Sequence, residues 1–298
     1  MRPLSILPIF LLSLTLIACS EAPRSAGDEP AAPAGSDTAT APASDDSPTP
    51  AAAADGATSD LAALPFAAAL ASGTPYAETR DAVLAAGWRP LITPACAENV
   101  GGEARICREW PELESCSGTG AGYCLMAFAD PAGTQELKLR SAGGHADWSV
   151  RGDAATVRLD RAELEAVQPT DGRACPSADF ATFLEAFAAD PTVRAAWTAP
   201  FVRVALRYEL GEDSVSVDGA MRAADFTGFP VVHQAEAFHF VTAGGAVDLA
   251  PLPLDIVEES DGVRRVSFSY GSSEGNSVRF VRADGCWLLS EDPEPPAS

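Results

Sequence analysis

The sequence predicts an α+β fold in two small modules, each a helix followed by short antiparallel strands. Three observations carry this prediction. Phe180, Phe183, Leu184 and Phe187 form a helical stripe that precedes β-branched and aromatic runs. A second helix signal at 74–87 precedes a hairpin signal at 125–140. Six cysteines beyond residue 90 divide into four near the first signal and two flanking the second. Helices followed by strands, rather than alternating with them, point away from a parallel α/β sheet.

The chain opens with Arg2 and an apolar stretch from Leu4 to Ala18, shorter than an ordinary membrane span. It ends in Leu16-Ile17-Ala18-Cys19, which resembles a bacterial lipoprotein signal. The resemblance implies removal of residues 1–18, triacylation of Cys19 and an oxidising, exported environment. More than one acyl chain anchors stably where a single chain is marginal. In the resembled lipoproteins Asp after the anchor favours the inner membrane, so Ser20 implies the outer membrane, with the body facing the periplasm.

Residues 20–60 contain no Leu, Ile, Val, Phe, Tyr or Trp, only small, acidic and proline-rich sequence with one arginine. Nothing there offsets the entropy of ordering, so a disordered tether is expected. Its mean span is roughly 35 Å by flexible-chain scaling, and its stretched reach is on the order of 140 Å. The whole chain carries a formal charge of -22 with Lys138 its only lysine. That excludes a nucleic-acid backbone as a natural partner and disfavours anionic head groups.

In the first module, Thr74-Pro75 reads as an N-cap followed by proline at the first helical position. Tyr76, Arg80, Val83 and Leu84 then share a face, and Gly87 is the expected left-handed stop. Trp88–Leu91 continues as a strand. Leu125–Phe128, the turn at 130–133 and Gln135–Arg140 form a hairpin. This module is too small to bury much core unaided. Residues 144–174 are ambiguous and are taken as a connecting segment.

In the second module a core-facing helix starts near Ser177, and Val202–Leu210 alternates as a strand. Val263–Tyr270, a turn at 271–276, Ser277–Val281, Ala283-Asp284-Gly285 and Cys286–Leu289 read as a three-stranded meander. The predicted organisation is a signal at 1–18, anchor and tether at 19–60, a stapled module at 61–143, a connector at 144–174, a second module at 175–292 and a tail at 293–298.

An even number of cysteines in an exported chain implies disulfides. Pairing within each module leaves few arrangements, and the favoured one is Cys96–Cys107, Cys116–Cys124 and Cys175–Cys286. The last closes a loop of about 110 residues, worth on the order of 4 kcal/mol in the chain-entropy description. No Cys-x-x-Cys pair is present, so neither a zinc site nor a redox dithiol is expected. No cofactor and no metal is expected either.

Candidate chemistry is sparse. Gly271-Ser272-Ser273-Glu274-Gly275 matches a nucleophile elbow, but that motif needs a strand–turn–helix setting and a later histidine. Here it lies between two strand-like runs, and His145, His233 and His239 all precede it. Ser117-Gly118-Thr119-Gly120-Ala121-Gly122 lacks the Lys-Ser/Thr ending of a phosphate loop and reads as a tight loop between Cys116 and Cys124. His239, or His233, with an acid such as Asp255, is the one candidate general base.

Gly73-Thr74-Pro75-Tyr76, Arg80, Leu84, Gly87-Trp88, Pro90, Pro111-Glu112, Cys116-Ser117-Gly118-Thr119-Gly120 and Cys124 resemble a small secreted domain of bacterial envelope proteins. More loosely they resemble the helix-plus-sheet modules of SmpA/BamE outer-membrane assembly lipoproteins, from whose pattern the cysteines depart. The Phe180/Phe183/Phe187 helix, Asp190 and the closing Gly285-Cys286-Trp287-Leu288 resemble a lipoprotein domain of NTF2-like (cystatin-like cone) type. That resemblance implies a curved sheet around helices, often with a pocket. The expected function is a lipid-anchored, non-enzymatic binding or assembly module for an envelope protein, a peptidoglycan fragment or a small ligand. The alternative is an enzyme using the second module's pocket with His239 or His233 as base. Oligomeric state is left open.

Overall fold

The computed structural model describes residues 60–102, 104–117, 121–143, 157–167, 173–210, 213–271 and 274–293, without the side chains of 104, 207–210, 213–215 and 274. The expected signal, Cys19, the tether up to residue 59, the loop tip at 118–120, residues 272–273 and most of the tail lie outside them. The architecture is α+β with strand outweighing helix. Short 3-10 turns at Leu61–Ala63 and Ala67–Leu70 lead into α1, Tyr76–Ala85. Of the expected face, Tyr76 and Val83 are buried and Arg80 and Leu84 partly so, while the third buried residue is Thr79. The cap differs from expectation. Pro75 is the N-cap and no side chain caps the first turn. The Thr74 carbonyl instead accepts from the Leu159 amide of a later strand, while the Gly73 amide donates to the Leu159 carbonyl. Gly87 takes φ +82, the left-handed stop.

One sheet is built from β1 (Arg89–Pro90), β2 (Leu113–Cys116), β3 (Cys124–Ala129), β4 (Gln135–Ala142) and β5 (Arg158–Ala166). The order is β1-β3-β4-β5, with β2 also on β3, and every pairing is antiparallel. β5 falls in the stretch taken as a connector, so that stretch supplies a strand of this sheet. Two short helices, α2 (Cys96–Asn99) and α3 (Ala104–Glu109), precede β2. β3 is buried on both faces. Met126 and Phe128 join the cluster around Tyr76, Val83 and Leu137. Ala127 and Ala129 turn the other way, onto Leu91, Phe201 and Ala220.

The other main sheet follows α4 (Phe180–Ala189) and α5 (Pro191–Ala196). Asp179 caps α4 by accepting from the amide of Thr182 at 3.0 Å. Asp190 caps α5 with Pro191 at its first turn. The strands are β6 (Thr198–Leu210), β7 (Asp213–Arg222), β10 (Leu254–Ser260), β11 (Val263–Tyr270), β12 (Glu274–Ala283) and β13 (Cys286–Asp292), with a separate hairpin of β8 (Val231–Gln234) and β9 (Ala237–Phe240). The order is β10-β11-β12-β13-β6-β7, antiparallel except that β13 runs parallel to β6. The turn into β13 has positive φ at Asp284 (50°) and Gly285 (80°), the mirror-image geometry suited to a two-residue hairpin.

Phe180, Phe183 and Phe187 of α4 meet Phe280 at 5.5, 6.1 and 5.2 Å between ring centroids, all edge-to-face. The two sheets touch through residues 90–92. The Leu91 amide donates to Ala127 of β3, and the Ile92 amide donates to Ala220 of β7. At Gly219 a Cβ would stand 2.5 Å from Ile92 Cδ1 and 3.1 Å from the Pro90 carbonyl oxygen, so a side chain there would have to displace Ile92. Arg222 of β7 completes it, pairing with Glu114 of β2 at 2.5 Å and Glu136 of β4 at 2.6 Å. Three cysteine pairs stand at disulfide distance: Cys96–Cys107, Cys116–Cys124 and Cys175–Cys286. Among the described residues no helix is long and apolar enough to cross a membrane.

Candidate functional site: an apolar cavity beside Arg194

A cavity of about 790 Å³ lies beside the β8–β9 hairpin, between α5, the segment 223–230 and the main sheet. This is within the ~300–1,000 Å³ typical of small-molecule sites. Phe187, Phe229, Phe240, Phe268 and Leu289 form its apolar wall, all buried. Ala195, Thr227 and Ala243 are exposed at its rim. No His, Cys, Asp, Glu, Lys, Ser or Tyr is among the described lining residues. Asn276 lines it but is engaged. Its Nδ2 donates to the Gly228 carbonyl and to Asp292 Oδ2, and its Oδ1 accepts from the Ser277 amide.

Arg194 is the only charged lining residue described. It sits in the last turn of α5, where its guanidinium reaches the C-terminal end of α4. Nε donates to the Phe187 carbonyl at 3.4 Å, and Nη2 donates to those of Ala188 at 3.0 Å and Val231 at 2.6 Å. A cation at a helix C-terminus complements its exposed carbonyls. The Phe187 and Phe229 rings lie at 6.0 and 5.8 Å from its guanidinium carbon. Burial lowers its pKa from the usual arginine value. The signal for this residue was present in Asp190-Pro191, a cap and first-turn pair that defines α5, but α5 was not expected.

The expected base candidates lie elsewhere. His239 is buried, and its Nδ1 faces the carbonyl oxygens of Asp248 at 3.0 Å and Ala250 at 3.2 Å. Two acceptors require Nδ1 to carry the proton. His233 packs on Phe238 at 4.8 Å, directly across the β8–β9 ladder. Neither lines the cavity. Asp255 is exposed on β10 opposite Ser267, and no described contact joins it to either imidazole. Ser272 and Ser273 of the elbow-like motif are outside the described residues, but strands β11 and β12 flank it, so the helix that motif requires does not follow.

Two other polar places deserve comparison. A cleft of about 460 Å³ between the sheets is lined by Arg89, Arg173 and Arg203, but also by Asp130 and Asp284. Burial and the neighbouring Arg203 lower the pKa of Arg89, while Asp218 and Glu291 oppose this. Charges of both signs make it a mixed surface. On the other side of the first sheet, fully buried Glu112 accepts from Arg80 Nε at 2.5 Å and from the Tyr76 hydroxyl at 3.1 Å. The resemblance quoted above contains all three residues, and the structure brings them together. Burial, then Glu112, pushes the Tyr76 hydroxyl well above the ordinary tyrosine range. Trp110 covers Arg80 at 5.3 Å, so this cluster is a buried tie. Among the described residues no group of three His, Cys, Asp or Glu stands together to hold a metal. No protein-family model matches the chain, and none of the curated proteins matches it significantly.

Proposed function

We propose that this chain is a lipid-anchored envelope lipoprotein whose folded part binds an apolar small ligand without transforming it. The observation that carries the binding role is the aromatic-walled cavity, in which no described lining residue is an acid–base or nucleophilic pair. In this reading residues 175–292 form an NTF2-like cone that holds the ligand, and residues 61–143 form a smaller stapled module beside it. Acylated Cys19 and the tether at 20–60 hold both in the outer membrane, facing the periplasm. Three cysteine pairs at bonding distance support an oxidising compartment. The enzymatic alternative needs His239 or His233 in the pocket, and neither lines this cavity, so it gains no support from it.

The binding role is tested with phenylnaphthylamine, a neutral apolar probe, on the purified mature chain. Saturable fluorescence enhancement is expected, reduced at least about ten-fold in affinity by Ala243→Trp, which narrows the cavity from an exposed rim position. Absence of saturable binding overturns it. Anchoring is tested separately. Radiolabelled palmitate should enter the wild-type protein and not Cys19→Ser, and the variant should leave the membrane fraction.

A further inference from the structure

The cavity is apolar, yet it holds one cation whose hydrogen-bonding capacity is not filled. A guanidinium carries five N–H donors. At Arg194 the Nε donor and the two on Nη2 have carbonyl partners. The two on Nη1 have none among the described residues, and no described carboxylate pairs with Arg194. Carbonyls stabilise the guanidinium as dipoles but do not neutralise it. Its depressed pKa, caused by burial alone, reflects the missing counter-charge. Arg80 and Arg222, by contrast, stand against carboxylates: Glu112 for the first, Glu114 and Glu136 for the second. In a chain of formal charge -22, Arg194 stands in the wall of an apolar cavity with no described acid paired to it.

Charge and shape together restrict the occupant. A cationic amphiphile would face Arg194 unscreened. A neutral hydrocarbon would bury Nη1 without a partner, which costs free energy for a charged donor. A negative head group supplies both acceptor and counter-charge, while a hydrocarbon chain matches the wall formed by Phe229, Phe240 and Phe268.

We propose that the cavity binds a single-chain anionic amphiphile, a long-chain carboxylate, with its head group hydrogen-bonded to Nη1 of Arg194 and its chain along the phenylalanine wall. This rests on the binding role proposed above and adds the chemical class of its ligand.

The test compares cis-parinaric acid with its methyl ester by fluorescence titration of the mature chain at neutral pH. The two share a chain and differ in head-group charge. The acid should bind at least about ten-fold more tightly, the size expected for one charge-assisted hydrogen bond. Arg194→Gln, which retains an amide donor for the carbonyls, should abolish that preference, so that acid and ester bind alike. Arg194→Lys should keep part of it. Equal binding of acid and ester by the wild-type chain overturns the anionic-ligand inference and leaves the cavity's binding role standing. Binding of neither overturns both. The wild-type acid-to-ester ratio is decisive even if Arg194→Gln does not fold.

Discussion

At the scale of single residues, the buried polar groups of this protein serve structure through defined partners. Tyr76 donates to Glu112 inside the first core, and its hydroxyl holds its proton more tightly folded than unfolded. A raised folded-state pKa gives stability that is whole below the ordinary tyrosine value, about 10, and declines as pH rises past it. Urea denaturation at about pH 8 and pH 11 should therefore show a smaller alkaline loss for Tyr76→Phe than for the wild type. His239 makes a similar point. Replacing it with Leu leaves the Asp248 and Ala250 carbonyls without their shared donor, and should cost about 1–3 kcal/mol in urea denaturation. Probe affinity in the cavity should not change, because His239 does not line it.

At the scale of elements, what could be read from the sequence followed from local pattern strength. The phenylalanine stripe is an uninterrupted apolar face, and α4 buries Phe180, Phe183, Leu184 and Phe187 as that spacing requires. The β11–β12–β13 meander carried its own turn chemistry, and the cysteines paired with near neighbours or, for Cys175 and Cys286, from just before α4 to the start of β13. β5 and β10 were missed because they are charged and largely exposed edge strands, Arg158–Ala166 and Leu254–Ser260, with weak alternation. β7 was missed because its inner residues are Gly219 and Ala220, small for a close sheet-to-sheet approach rather than hydrophobic. Of the cavity, the histidines drew attention by chemical type, whereas Arg194 is defined by where α4 ends relative to α5, a tertiary relation. Cys175–Cys286 spans 111 residues. Replacing both with serine should lower stability by about 4 kcal/mol, and thermal melting by on the order of 10 °C.

At the scale of the whole molecule, the two sheets are joined by few but specific contacts. Alanines at 127, 129 and 220 let Leu91 and Phe201 close the seam, and Arg222 bridges two acids of the opposite sheet. Arg222→Ala leaves buried Glu136 with Lys138, 4.0 Å away, as its remaining cation in this network. It should cost about 1–3 kcal/mol and increase proteolysis near residues 90–93. Gly219→Val should act at the same place by overpacking, at a cost of about 1–3 kcal/mol, read by the same digestion. The position of β13 has a consequence for biogenesis. The last of the described strands is an interior one, inserted between β12 and β6. Until residues 286–292 emerge, both neighbours keep open backbone edges that recruit other strands. A stop codon just before Cys286 would thus deprive the sheet of its keystone and yield aggregates.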